Sequence, residues 1–217
     1  MLTITVNKAQ DAFEMLFKQI MMRGELTKHD TKALYNVGIL ITNPEDNEIK
    51  TSWRKWNKGY AEREWQWYLS GDRSVAEIKK YAKIWDKMHG GDNLVNSNYG
   101  WQWYRNCQLE HVINMLKATP HTRQAWVTIY DGKEHEDYTY DTPCTIGVGF
   151  RITADNKLNM DVIMRSNDLV YGFCNDQYCF SNLQKMVADE LGIKVGQYYH
   201  YATDMHIYSK HYNLDKR

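Results

Sequence analysis

Proline is almost absent, three in 217 residues, and no stretch is rich in proline, glycine or serine. A linker between separately folding parts has no candidate, and one domain spanning 1–217 is expected. Cysteine is scarce as well. Cys107, Cys144, Cys174 and Cys179 form no C-x-x-C pair, so zinc-finger spacing is excluded and no metal is expected. No apolar run approaches the length that spans a bilayer, and MLTITVNKAQ lacks a signal-peptide core. A cytoplasmic protein with reduced thiols and no membrane partner is the expectation. An excess of either charge is missing too: 27 Lys and Arg balance 27 Asp and Glu. Duplex nucleic acid is therefore not the expected partner, whereas a small phosphate needs only a few placed cations.

What the chain does have is an ordinary core composition, 43% hydrophobic, and many aromatics, with Trp and Tyr outnumbering Phe. Such rings line pockets for flat ligands, or simply pack at the edge of a core. Asn7 with Gln10 reads as a capping box before a helix carrying Ala9, Ala12, Phe13, Leu16, Phe17 and Ile20, which Gly24 ends. Leu34–Ile41 suits a strand closed by Asn43-Pro44. Helices are expected over Tyr60–Leu69, Val75–Met88 and Leu109–Leu116, with a loop at Gly90–Asn98. Beyond Pro120 the pattern turns to strands, Ala125–Tyr130, Thr145–Ile152 and Leu158–Met164. A helix over Leu183–Leu191 and an extended Tyr198–Tyr208 follow. The fold class is α+β, with a mixed or antiparallel sheet.

Four places could carry chemistry. Cys144 opens a strand after Asp141-Thr142-Pro143; it is either a small buried hydrophobe or, with a cation near it, a nucleophile. Arg165 ends the next strand of the hairpin and is the candidate cation. Arg165-Ser166-Asn167-Asp168 is a solvated turn or a phosphate site. His206 and Tyr208 share a strand face and could clasp a sugar hydroxyl, or be structural. Glu64, among Arg63, Trp65, Trp67 and Tyr68, is a plain helix charge or a partly buried acid for proton transfer.

Read together, RSNDLVYGFCND (165–176), DMHIYSKH, REWQWYLSGD, NSNYGW and TPCT stand in one order along the chain. In that order they resemble the thymidylate synthase superfamily, most closely its phage-type deoxycytidylate hydroxymethylases. The resemblance runs from about Leu26 to His211. It implies a mixed twisted sheet with flanking helices, two such sheets packed back to back in a homodimer, and 5,10-methylenetetrahydrofolate as co-substrate. It implies Cys144 as the nucleophile toward pyrimidine C6, Arg165 and Ser166 as phosphate ligands, and Arg123 reaching the phosphate of the other subunit. His206 and Tyr208 would hold the deoxyribose hydroxyl, Glu64 would be the acid-base group, and Tyr99 would join its proton network. Trp85, Asp168 and Gly172 would lie on the folate side. Departures are Gln124 for a second arginine, Lys28 for a phosphate-binding arginine, Met88 for a tryptophan, Thr145 for a histidine, and an abbreviated segment after Tyr208. A phage-encoded member would work in the host cytoplasm.

Asp176 bears on the base. The synthases carry asparagine four residues after the glycine matching Gly172, and the ungapped spacing assigns position 176 rather than Asn175. An amide complements uracil, with its N3–H donor and O4 acceptor; a carboxyl sharing a proton complements cytosine, with its N3 acceptor and 4-amino donor. The resemblance thus implies dCMP as substrate and water completing a hydroxymethyl group. A C5-methyltransferase acting on dCMP or dUMP, and an idle homologue that only binds nucleotide or its own mRNA, are the alternatives.

Overall fold

The computed structural model describes residues 1–133 and 140–216. In chain order the elements are β1 (Leu2–Val6), α1 (Ala9–Arg23), β2 (Glu25–Leu26), β3 (Thr31–Ile41), α2 (Lys58–Ser70), α3 (Tyr99–Tyr104) and α4 (Gln108–Ala118). Then come β4 (Trp126–Thr128), β5 (Thr145–Ile152), β6 (Lys157–Met164), β7 (Asn167–Asp168), α5 (Cys174–Leu191) and β8 (Lys194–Tyr208). The sheet runs β1-β3-β8-β6-β5-β4, with β2 beside β3 and β7 beside β8. Pairing is mixed: β1 with β3 and β6 with β8 are parallel, while β3 with β8, β5 with β6 and β4 with β5 are antiparallel.

Helices α1 and α5 pack on β3, β6 and β8, and α2 with α3 stacks on them further out. All six apolar positions read as the inner face of α1 are buried, so its periodicity was a true amphipathic signal. Its start is different. The cap is Lys8 without a side-chain bond, because Gln10 turns instead to Glu14 and the Lys50 amide. The expected helix over 75–88 is two short 3-10 turns, Ile78–Lys80 and Lys83–Lys87, parted by extended Ala82. Val75 and Trp85 are held by the Asn93 carbonyl and the Tyr60 hydroxyl, and those tertiary anchors override helix propensity.

Helix α5 begins nine residues earlier than expected, at Cys174, after a wide turn over Leu169–Phe173. Its inner face carries Gln177 and Gln184, whose amides donate to Asn47 and Cys174 and to Leu158 and Gln197. Polar residues on a buried face hide the helical pattern. Strand β1 was not anticipated; β4 is shorter than the Ala125–Tyr130 expected, although the Ile129 and Tyr130 amides still reach the Ile146 carbonyl.

Candidate active site

One end of the sheet collects the polar residues. Antiparallel pairing of Thr145 with Met164 brings the residue before β5 beside the residue after β6, so the Arg165 amide donates to the Cys144 carbonyl at 2.8 Å. The Arg165 guanidinium is fixed by the carbonyls of Pro143 (3.0 Å) and Thr142 (2.9 Å), and its Nη2 lies 3.8 Å from Cys144 Sγ. Cys144 is half-buried rather than sealed. Burial pushes its thiol up to about 11, Arg165 opposes that, and Asp176 and Asp141 add to it. The thiol is thus neutral at rest, beside a cation that stabilises the anion when it forms. Asp141 anchors the segment before Cys144: it accepts from the Asn96 and Ser97 amides and the Ser97 hydroxyl.

Two carboxyls face this corner. Glu64 on α2 is buried, its Oε1 accepting from the Tyr60 hydroxyl at 2.8 Å, and Tyr60 in turn accepts from Trp85 Nε1 at 2.9 Å. Burial first, and then the negative charge of Asp176, push Glu64 up to about 8. Asp176, in the first turn of α5, accepts from Asn167 Nδ2 at 2.7 Å, and burial pushes it up to about 7. Both therefore exchange protons near neutrality, as acid-base groups must. Asn175, the alternative for position 176, points elsewhere and accepts from Trp56 Nε1. Tyr99, buried at the start of α3, feels both Asp176 and Cys144, and burial pushes its phenol well up. Gly172 touches the same pair: a Cβ there would stand 2.8 Å from Asn167 Nδ2 and 3.2 Å from Asp176 Oδ2. Only glycine lets this backbone pass the carboxyl.

The rim comes from β7, β8 and the turn before β3. Pairing sets Asp168 beside His206 and Thr31 beside Tyr208. His206 Nδ1 is 2.9 Å from Asp204 Oδ1, and its ring meets Tyr208 edge-on at 5.2 Å. Asp168 accepts from the Val170 amide, and burial raises its carboxyl. Lys28 is exposed in the turn before Thr31, and Ser166 is half-buried next to Arg165. Arg123, exposed ahead of β4, makes no hydrogen bond or ion pair with the described residues. Trp85 is buried with its indole N–H given to Tyr60. Among the described residues no group of three His, Cys, Asp or Glu could hold a metal ion, and no helix is long and apolar enough to cross a membrane.

A family profile described as thymidylate synthase matches residues 11–216. The chain belongs to the thymidylate synthase family. Family members are folate-dependent one-carbon transferases that bind a nucleotide and methylenetetrahydrofolate and are typically dimers. Among its relatives is the deoxycytidylate 5-hydroxymethyltransferase of Enterobacteria phage T4, 33% identical over 175 residues, covering 73% of this chain and 70% of the relative. The deoxyuridylate hydroxymethyltransferase of Bacillus phage SP01 is 29% identical over 197 residues, 83% of this chain and 51% of the relative, so the chain spans about half that protein. The fold is similar to that of a thermostable thymidylate synthase A from Bacillus subtilis, with a TM-score of 0.76 at 22% identity over 95% of this chain and 82% of that one.

In this member of the thymidylate synthase family, the structure brings Cys144, Arg165, Asp176, Tyr99 and Glu64 to one corner and sets His206, Tyr208 and Asp168 at its rim. Sequence reasoning gave no role to Asp141 or Asn167. Asn167 lay inside a tetrad already singled out and Asp141 just before Cys144, but their partners Asp176 and Ser97 lie in other elements. A groove of about 420 Å³ adjoins the site, lined by Arg54, Val170, Tyr171, Lys210, His211 and Leu214. A second concavity, about 490 Å³ between α2 and α5, is lined by neither Cys144 nor Asp176. Cys144 itself sits in neither.

Proposed function

We propose that this chain transfers a one-carbon unit from 5,10-methylenetetrahydrofolate to C5 of dCMP and that water completes a 5-hydroxymethyl group. One observation carries the choice of base: Asn167 fixes the Asp176 carboxyl at the Cys144 corner, while the Asn175 amide turns away to Trp56, and burial pushes that carboxyl up to about 7. Cytosine needs a donor at N3 and an acceptor at its amine, and a half-protonated carboxyl supplies both.

Cys144 Sγ adds to C6 and its proton passes to solvent, while Arg165 stabilises the departing thiolate character. Electron density moves toward N3, where the Asp176 proton meets it, so C5 becomes nucleophilic. C5 bonds to the one-carbon unit and gives up its own hydrogen as a proton, the carbon–nitrogen bond to the carrier breaks so that tetrahydrofolate would be released, and water adds to the exocyclic carbon. Glu64, with Tyr99 beside it, takes and returns these protons, and elimination of Cys144, which regains its proton, restores the C5–C6 double bond. Lys28, Arg165 and Ser166 hold the phosphate, with Arg123 reaching in from a second copy of the chain; His206 and Tyr208 hold the sugar hydroxyl. When bound, the folate supplies carbon at the oxidation level of formaldehyde. Asp168 and Gly172 would lie along it. The adjoining groove fits such a molecule, with apolar Val170, Leu214 and Tyr171 for its rings and Arg54 and Lys210 for its carboxylates. Trp85 would support it only through an edge, because its indole is buried.

A second reading takes dUMP as substrate, after the name of the Bacillus phage SP01 relative. A carboxylate opposite uracil O4 is repulsive, which argues against it. The test is turnover of dCMP and dUMP by wild type and by Asp176→Asn. The wild type is expected to prefer dCMP, and the variant to gain on dUMP relative to dCMP by roughly a hundredfold, the worth of two reversed hydrogen bonds. An unchanged ratio would sink the base assignment.

A further inference from the structure

Behind Asp176 stand three buried side chains to which the reaction above gives no task. Tyr198 and His200 on β8 are wholly inaccessible, and Asn167 on β7 is 3% exposed. They connect in a line. The Tyr198 hydroxyl lies 2.7 Å from His200 Nδ1, His200 Nε2 lies 3.0 Å from Asn167 Oδ1, and Asn167 Nδ2 lies 2.7 Å from Asp176 Oδ2. Burying three polar groups where apolar ones would pack is costly unless all are paired, and here each is.

The line has a direction. His200 Nδ1 is the one partner of the Tyr198 hydroxyl among the described residues, so a phenol that did not donate to it would leave its own proton unpaired in a dry interior. Tyr198 therefore donates, Nδ1 accepts, and the imidazole proton sits on Nε2. Burial holds His200 far below the usual imidazole range, at about 3, so the ring is neutral and carries that single proton. Nε2–H then donates to Asn167 Oδ1, which fixes the amide with its NH2 toward Asp176. Phe173 packs against the His200 ring edge-on at 5.2 Å.

We propose that Tyr198, His200 and Asn167 form a one-way hydrogen-bond relay that keeps Asp176 Oδ2 an acceptor, holds the Asp176 proton on Oδ1, and thereby makes the site discriminate cytosine from uracil. The inference rests on the reading in which Asp176 faces the base. With Oδ2 committed to accepting, a neutral Asp176 can only point its proton outward, toward a base acceptor such as cytosine N3. Uracil presents N3–H there, and two donors collide. Without the relay the amide can turn over, the carboxyl proton can move to Oδ2 and point inward, and Oδ1 is left with a lone pair that suits uracil. Tyr198 and His200 act only through Asn167, so they are positioning residues. Gly172 completes the device, since a side chain there would displace the Asn167 amide from the carboxyl.

The test is equilibrium binding of dCMP and of dUMP, without folate, to the full chain and to Tyr198→Phe, His200→Leu and His200→Gln. Tyr198→Phe and His200→Leu are expected to lower the dCMP-to-dUMP affinity ratio roughly tenfold, the worth of one oriented buried hydrogen bond. His200→Gln is expected to retain the ratio, because its amide oxygen can accept from Tyr198 while its NH2 donates to Asn167. Folded variants with an unchanged ratio, or an equal loss for both nucleotides, would overturn the relay. Nitrogen-15 spectra of wild-type histidine, without nucleotide, provide a check independent of any variant's folding. They should show His200 protonated at Nε2 and bare at Nδ1; the opposite tautomer overturns the relay even if the wild type prefers dCMP. The expected tautomer in a wild type with no preference for dCMP would instead overturn the base assignment of Asp176, and with it the relay's role in discrimination.

Discussion

Glu64 is held in its protonated form by its surroundings, and that has a consequence for stability. It is buried against Tyr60, Tyr68, Cys179 and Asp176, none of them a cation, and its carboxyl is raised from 4.5 to about 8. The folded chain binds this proton more tightly than the unfolded chain does, so its contribution is fully present below the unfolded pKa and is lost as pH rises through the folded one. Asp176, raised from 3.8 to about 7, acts in the same direction, whereas His200, lowered from 6.5 to about 3, costs stability as pH falls below 6.5. Glu64→Gln keeps an acceptor for Tyr60 and removes the ionisation. It should be more stable than wild type by on the order of 2 kcal/mol at about pH 9 and no more stable at about pH 5, while losing turnover. Urea melts at the two pH values check this; an equal offset at both would contradict it. At this scale the sequence was legible where two neighbours share a hairpin, as Cys144 and Arg165 do. It was silent where the partner lies far off: Asn167 finds His200 33 residues away, and Asp141 finds Ser97 44 residues away.

Among the elements, α3 shows how tightly the site is built. Asn98 caps it by accepting from the Trp101 amide, and its own NH2 donates to the Trp67 and Asp72 carbonyls, so the helix start is fastened to the end of α2. Gly100 permits the contact, since a Cβ there would fall 1.5 Å from the Tyr68 carbonyl oxygen, which is backbone and cannot yield. Gly100→Ala should therefore part α3 from α2 and dislodge Tyr99, at a cost of roughly 3 kcal/mol or more. Gly59→Ala, near the start of α2 and 3.4 Å from the Arg63 guanidinium, should be neutral or gain up to about 1 kcal/mol of helix propensity. Denaturant melts of the pair decide it, and equal effects would contradict the packing argument. Helix α1 was legible because its inner face is purely apolar. The 75–88 segment and α5 were not, since Trp85 answers to Tyr60 in one and buried amides answer to distant carbonyls in the other.

Over the whole molecule, the sheet has one face covered by α1 and α5 and another where Trp126 stays 47% exposed. Tyr199 lies over Gly38 and Trp126 over Gly149, so aromatic rings line that second face. On the proposed homodimer this face is where two sheets meet, and exposed Arg123 crosses to the neighbouring site. Mixing inactive Arg123→Ala with inactive Cys144→Ala should then restore turnover through hybrid dimers that own one complete site; no recovery after subunit exchange would contradict sharing.

The strand patterns left the sheet mixed or antiparallel and the resemblance carried by the five motifs implied the mixed one, but the strand order was not legible. Nor was the sheet's convergence on one corner, because parallel pairing of β6 with β8 is a long-range choice that no local window contains. The central claim is chemical, and mass analysis of the nucleotide after incubation of the chain with dCMP and methylenetetrahydrofolate tests it most directly. The account predicts a product heavier by CH2O, abolished by Cys144→Ala with dCMP binding retained. A gain of CH2 alone, or a CH2O product still formed without the Cys144 sulfur, would contradict it.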